Sequence, residues 1–138
     1  MSSQSTDHKT VLIVDDSTAV RRRLYAVLNP IDGVEVVGEA TDAEEAFEMC
    51  KDLRPDVVTL DLVLPGESGV DVLEQIKGLD PSPQVIVLTN YPYPAFQKRC
   101  EALGADFFLN KATEFEKIEQ ILKGEEISID PLPEDPVP

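Results

Sequence analysis

Basic side chains are scarce in this chain. Lys and Arg total 12 against 27 Asp and Glu, a formal net charge of -15 over 138 residues. A field of that sign repels phosphate backbones, which argues against nucleic acid as a partner and favours metal cations and basic protein faces. Cysteine is nearly absent. Cys50 and Cys100 match no metal spacing and no disulfide framework, and both fall at apolar positions of helical patterns. They are expected as buried free thiols, which suits a reducing, cytoplasmic setting. No run approaches the ~18 apolar residues of a membrane span. The polar residues 1–10 lack the apolar core of a secretory leader. The single histidine, His8, stands in that polar start without strand or helix context, so no phosphohistidine role is expected of it.

What is present suits one domain. The length falls in the usual range of about 100–200 residues, and 42% hydrophobic with 28% charged content is that of a folded protein. Apolar runs at 11–14, 34–37, 57–60, 85–88 and 107–109 are short and mostly β-branched, as strands prefer. Several are continuous rather than alternating, which predicts strands covered on both faces. Helical stripes fill the gaps: Val20, Leu24, Val27 and Leu28; Ala43, Ala46, Phe47 and Cys50; Val72, Leu73 and Ile76; Phe96, Cys100 and Leu103; Phe115, Ile118, Ile121 and Leu122. Gly78, Gly104 and Gly124 mark helix ends. The βα alternation predicts a parallel sheet with helices on both faces. Residues 1–9 read as a flexible start and 10–123 as the domain. Residues 124–138 hold four prolines and five acids and read as an extended or disordered acidic tail, although Ile127 and Ile129 offer a short pairing segment.

In parallel α/β sheets, sites form beyond the carboxyl ends of the strands. Asp15 and Asp16 follow the first run, Asp61 the third, Thr89 the fourth, and Asn110-Lys111 the fifth. Taken singly these mean little: a strand-end Asp is usually a turn former, and Asp15-Asp16-Ser17 could simply cap the first helix. Together they predict three carboxylates, a hydroxyl and an ammonium at one edge. Converging carboxylates repel one another, and a divalent cation removes that penalty. Mg²⁺ suits hard oxygen ligands and a phosphate oxygen. A carboxylate in such a place can attack a phosphoryl group and hold it as an acyl phosphate, with lysine and hydroxyl as donors to the phosphoryl oxygens.

The stretches VLIVDDSTAVRRRL, VVTLDLVLPGESGVDVLEQIK, VIVLTN and GADFFLNKATEFEKI resemble the receiver domain of two-component response regulators, of the stand-alone kind, over roughly residues 10–123. The resemblance implies a flavodoxin-like (βα)5 three-layer sandwich with sheet order 2-1-3-4-5, an order that receivers share with flavodoxin. It implies that Asp61 accepts a phosphoryl group from a histidine kinase or histidine phosphotransfer protein. Asp16, Asp61 and the backbone carbonyl of Val63 would bind Mg²⁺ directly, and Asp15 through water. Thr89 and Lys111 would bind the phosphoryl group, Phe108 would report activation through its rotamer, and Pro65, Gly66 and Gly69 would shape the loop after the acceptor strand. Output would go to a downstream protein or to a second copy of the chain, through a face around Phe108, Tyr91 and Tyr93. Beyond its own phosphoryl transfer and dephosphorylation, no turnover is expected.

The chain departs from the family pattern in places. Ala112 follows Lys111 where proline, often cis, is usual; a trans Lys111–Ala112 bond is expected because a cis one would cost about 2.5–4 kcal/mol. Asn90 stands where a small residue is common and is expected to narrow access to the phosphoryl group, and apolar Val63 occupies a position that influences dephosphorylation. Pro92 and Pro94 delay the fourth helix. Arg21, Arg22 and Arg23 read as a solvated face, with donor docking as the alternative. Tyr91 and Tyr93 are either packed loop aromatics or an exposed patch. Two other functions compete. An aspartate-based phosphohydrolase would favour Asp-x-Asp after the first strand and a cap insertion, neither of which is present. An inactive scaffold would not need the whole set of acids, hydroxyl and lysine.

Overall fold

The structure, a computed structural model, describes residues 8–124. Strands and helices alternate in the order β1 (Lys9–Val14), α1 (Thr18–Leu28), β2 (Val34–Ala40), α2 (Ala43–Leu53), β3 (Val57–Leu60), α3 (Gly69–Lys77), β4 (Gln84–Thr89), α4 (Pro94–Ala102), β5 (Phe107–Asn110) and α5 (Lys117–Leu122). Every strand pairing is parallel, and the sheet order is β2-β1-β3-β4-β5. This is the flavodoxin-like (βα)5 sandwich expected. The reversal between β1 and β3, with right-handed crossovers, sends α1 and α5 to one face and α2, α3 and α4 to the other.

Two hydrophobic layers result, and the strands divide their side chains between them by the period of two. Val11, Ile13, Val57, Ile86, Leu88 and Leu109 pack with Leu24, Leu28, Phe115 and Ile118. Leu12, Val14, Val58, Leu60, Val85, Val87 and Phe108 pack with Ala46, Val72, Leu73, Ile76 and Cys100. This is why the central runs are apolar without alternation: β3 is buried at all of its positions. Ser17, Asp42 and Ser68 cap α1, α2 and α3 by accepting from Val20 N, Glu45 N and Asp71 N. Pro94 opens α4 at its first turn, where its missing N–H costs nothing, as the two prolines predicted.

Two helical stripes differ from expectation. Phe115 precedes α5 and packs from a turn, 2% exposed. Phe96 is 41% exposed rather than part of the core. It lies in the first turn of α4, just after the loop that leaves β4, and its ring turns onto Tyr93 with centroids 5.9 Å apart. Residues 1–7 and the acidic segment 125–138, with Ile127 and Ile129, lie outside the described residues. Cys50 and Cys100 are buried and free, as expected. Burial pushes their thiols up to about 12 and about 11, so both remain protonated at neutral pH.

Among the described residues, Thr59 Oγ1 is the buried side-chain oxygen without a hydrogen-bond partner. Thr59 sits in the middle of β3, between Ile13 and Ile86 of the neighbouring strands. Leaving such a group unsatisfied costs about 1–3 kcal/mol. Thr59→Val is therefore expected to stabilise the protein by about 1 kcal/mol, measured as a higher urea midpoint at unchanged slope. A lower midpoint would show that the hydroxyl does have a partner.

Candidate functional site

The parallel ladder runs one residue past the strand ends and thereby sets the site. Asp15 N donates to Ala40 O at 3.1 Å, Asp61 N to Val14 O at 3.0 Å, and Lys111 N to Thr89 O at 2.8 Å. Side chains from four strands are thus brought to one edge. Asp15, Asp16 and Asp61 each offer a carboxylate oxygen, all within 4.8 Å of one another; Asp15 and Asp61 are buried and Asp16 is exposed. The Lys111 ammonium lies between the two buried acids, 2.7 Å from Asp15 Oδ2 and 3.2 Å from Asp61 Oδ2. The remaining oxygens accept backbone N–H groups: Asp15 Oδ1 from Ser17 at 2.8 Å and Asp61 Oδ1 from Val63 at 3.1 Å.

The charges are balanced against burial. Burial raises the pKa of Asp61, and the charge of Asp15 adds to the rise; the Val63 N–H and the Lys111 ammonium oppose it without cancelling it. For Lys111, burial lowers the pKa, but the hydrogen bond to Asp15 and the charges of Asp61 and Asp15 together outweigh it, so the ammonium is held charged. The donor set is all oxygen, without imidazole or thiolate. Three carboxylates drawn together fit a hard cation such as Mg²⁺ rather than a soft one.

Other expected site residues surround this centre. Thr89 is fully buried, and its Oγ1 accepts from Tyr91 N at 2.9 Å. The Val63 side chain is 55% exposed. Gly66 has φ +95°, and Gly69 lies against the backbone of Asp61 and Leu62, to whose carbonyl it donates at 2.8 Å. Pro65 O accepts from Ala43 N at 3.4 Å, tying the same loop to α2. Asn90 is exposed. The cis peptide bond of the described chain is Asp80–Pro81, so Lys111–Ala112 is trans, as expected. Tyr91 and Tyr93 form an exposed patch with Phe96, on the rim of a groove of about 650 Å³ that also touches Val63, Val70 and Thr89. Phe108 is 5% exposed and lies in the core layer, so it is not part of the exposed face expected around it.

Of the arginine run, Arg22 and Arg23 are exposed, as a solvated face requires, and only Arg21 departs from it. Arg21 is pinned: Nε donates to Glu39 Oε1 at 3.0 Å and Nη1 to the Asp15 carbonyl at 2.9 Å. The Arg23 guanidinium stacks 3.8 Å from the centroid of the Phe115 ring. A planar fork and a delocalised charge allow both uses, and sequence spacing carries no sign of either contact. Glu114 was missed altogether. It is 4% exposed and accepts from Asn110 N at 2.9 Å and from Lys117 Nζ at 2.9 Å. In a chain with 27 acids, nothing in the one-dimensional pattern separates it from the rest.

The fold and the acidic edge together define a class, and comparison with known proteins agrees. The family model described as the response regulator receiver domain matches residues 11–123, and the chain belongs to that family. It is similar to the chemotaxis protein CheY of Thermotoga maritima, 38% identical over 103 residues that cover 75% of this chain and 85% of that protein. It also resembles protein-glutamate methylesterase/protein-glutamine glutaminase 1 of Caulobacter vibrioides, 51% identical over 79 residues, 57% of this chain but 23% of that protein. The chain thus spans roughly a quarter of the length of that relative. Among solved structures, the CheX–CheY–BeF3–Mg²⁺ complex of Borrelia burgdorferi superposes with a TM-score of 0.72 at 28% identity, covering 82% of this chain and 88% of that one. The chain is a phosphoacceptor receiver domain of two-component signalling, with a regulatory role. Among the described residues, no helix is long and apolar enough to cross a membrane.

Proposed function

We propose that Asp61 is the phosphoacceptor and that the chain acts as a switch rather than as an enzyme turning over a separate substrate. The observation that carries this reading is the Lys111 ammonium set between buried Asp15 and Asp61, with Asp16 open beside them. An Asp61 oxygen forms the new O–P bond as the N–P bond of a phosphohistidine breaks, and the electron pair leaves with the imidazole nitrogen. Lys111 lies within reach of the charge that then builds on the phosphoryl oxygens, and the Thr89 hydroxyl stands at the neighbouring strand end. Asp16, Asp61 and the Val63 carbonyl would hold Mg²⁺. Asp15, whose Oδ2 makes the shorter contact with Lys111 at 2.7 Å against 3.2 Å for Asp61, would act through water. The ion, when bound, neutralises the acidic edge and polarises the phosphoryl oxygens.

The donor we propose is a histidine kinase or a histidine phosphotransfer protein, and the setting cytoplasmic. The output follows from the Thr89 hydroxyl, which accepts the Tyr91 N–H. A Thr89 side chain drawn toward the phosphoryl group gives up or strains that bond, and the exposed aromatics Tyr91, Tyr93 and Phe96 shift with it. A downstream protein or a second copy of the chain would read that face. The CheX–CheY–BeF3–Mg²⁺ complex supports a protein partner of this kind for a related receiver. The test is incubation with acetyl phosphate and intact mass measurement. A single added phosphoryl group that requires Mg²⁺ is expected, with Asp16→Ala weakening Mg²⁺ binding and labelling together. Labelling at the wild-type rate in EDTA would sink the reading.

A further inference from the structure

Lys111 has a long, flexible side chain, yet its ammonium meets two carboxylates at 2.7 and 3.2 Å. Holding such a side chain in one place requires a fixed backbone origin. Ala112, the next residue, leaves its own φ unrestrained, and the Lys111–Ala112 bond is an ordinary trans one. The restraint comes from elsewhere. Asn110 Oδ1 accepts from Ala112 N at 2.8 Å and from Thr113 N at 3.3 Å. Glu114 Oε1 accepts from Asn110 N at 2.9 Å, and Glu114 N donates back to Asn110 O at 2.8 Å. Glu114 Oε2 takes Lys117 Nζ at 2.9 Å, which fixes the buried carboxylate in direction. Residues 110–114 therefore form a loop closed from both ends, and Lys111 is clamped inside it, with its own N–H on Thr89 O.

We propose that Glu114, with Asn110, is a positioning residue: it aims the Lys111 ammonium at Asp61 and so sets the rate of phosphoryl acceptance. This rests on the reading of Asp61 and Lys111 above and deepens it. Ala112 is part of the device, because its N–H is one that Asn110 uses and that a proline at this position would lack. Glu114 touches no reacting atom and is 4% exposed, so it has no direct route to a phosphoryl group. It acts through the backbone that carries Lys111.

The test is a double-mutant cycle on the full chain, read as the rate of Mg²⁺-dependent labelling by acetyl phosphate in intact mass spectra. Loss of alignment at a reacting centre costs up to about 100-fold, so Glu114→Ala is expected to slow labelling by roughly 10- to 100-fold. Glu114→Gln keeps an acceptor for the Asn110 N–H and should recover most of that loss, which separates positioning from mere loss of a charge. In a Lys111→Ala background, Glu114→Ala should change the remaining rate by less than about twofold, because the residue it acts through is gone. The ammonium resonance of Lys111, observed by ¹H–¹⁵N NMR of the metal-free protein, should broaden or vanish in Glu114→Ala and persist in Glu114→Gln. A wild-type rate in a folded Glu114→Ala protein, or an equal slowing with and without Lys111, would overturn the proposal while leaving Asp61 as acceptor. A Lys111→Ala protein that labels at the wild-type rate would overturn it through the underlying role of Lys111.

Discussion

Asp61→Asn is expected to abolish phosphoryl labelling and, at the same time, to stabilise the metal-free protein. The amide has no nucleophilic oxygen, so no acyl phosphate forms. The stability gain follows from the electrostatics of the site. Asp61 is buried at the strand edge, and burial lifts its pKa above the ordinary carboxylate value despite the help of the Val63 N–H and Lys111. A carboxylate whose pKa is raised on folding contributes stability below its ordinary pKa and loses it as pH rises through the folded value. Wherever Asp61 is ionised, its charge is thus a cost carried for function, and the amide removes it. Lys111 keeps Asp15 at 2.7 Å in the variant, so the ammonium is not stranded. Mg²⁺ should stabilise the wild type by mass action, by about 1.4 kcal/mol at ten times its Kd, and stabilise Asp61→Asn much less. Intact mass spectra and melting curves with and without Mg²⁺ check both halves. Full labelling of the variant would end the assignment of Asp61, and an unchanged or lower metal-free melting temperature would end the electrostatic account.

The second large effect is expected at a residue that touches nothing chemical. A Cβ on Gly69 would fall 2.5 Å from Asp61 O and 2.8 Å from the Leu62 carbonyl carbon, and also against Leu62 Cα. These are backbone atoms of the acceptor loop and cannot rotate aside. Gly69→Ala must push α3 away from the end of β3, breaking the Gly69 N–H bond to Leu62 O and shifting the peptide that carries Asp61. Overpacking of this kind costs about 1–3 kcal/mol and occasionally more. We expect a loss of about 3 kcal/mol, roughly 10–15 °C in Tm for a domain of this size, together with slower labelling. Gly66 provides the contrast. Its φ of +95° strains any other residue, but nothing lies within 4 Å of its Cβ position. Gly66→Ala should therefore cost only about 1 kcal/mol. Equal melting temperatures for the two variants would show that the close approach at Gly69 is not what requires glycine.

Much of this was legible in the amino acids alone. Short β-branched runs and helical stripes are local signals, and each produced an element at its place. The polar residues that end the runs could be assigned to one edge because parallel strands point the same way. Where the reading fell short, the reason was a residue's place within its element or a partner from another part of the chain. Phe96 carries the spacing of a core residue, yet its place in the first turn of α4 leaves it 41% exposed against Tyr93. Arg22 and Arg23 are exposed as a solvated face requires, but Arg21 found Glu39 at the end of β2 and the carbonyl of Asp15.

The sequence by itself determined the βα alternation, the five-strand parallel sheet and the set of acids, hydroxyl and ammonium that face one edge, because periodicity and strand-end position are properties of the chain read in order. Only the tertiary structure decided how those groups are engaged. Lys111 meets Asp15 across 96 residues, a contact that exists because β1, β3, β4 and β5 lie side by side in that order. Burial raised Asp61, and the paired acids held Lys111 charged; neither environment is written in any single segment. The loop that aims Lys111 rests on Glu114, one acid among many until the fold enclosed it and left Asn110 and Lys117 as its partners.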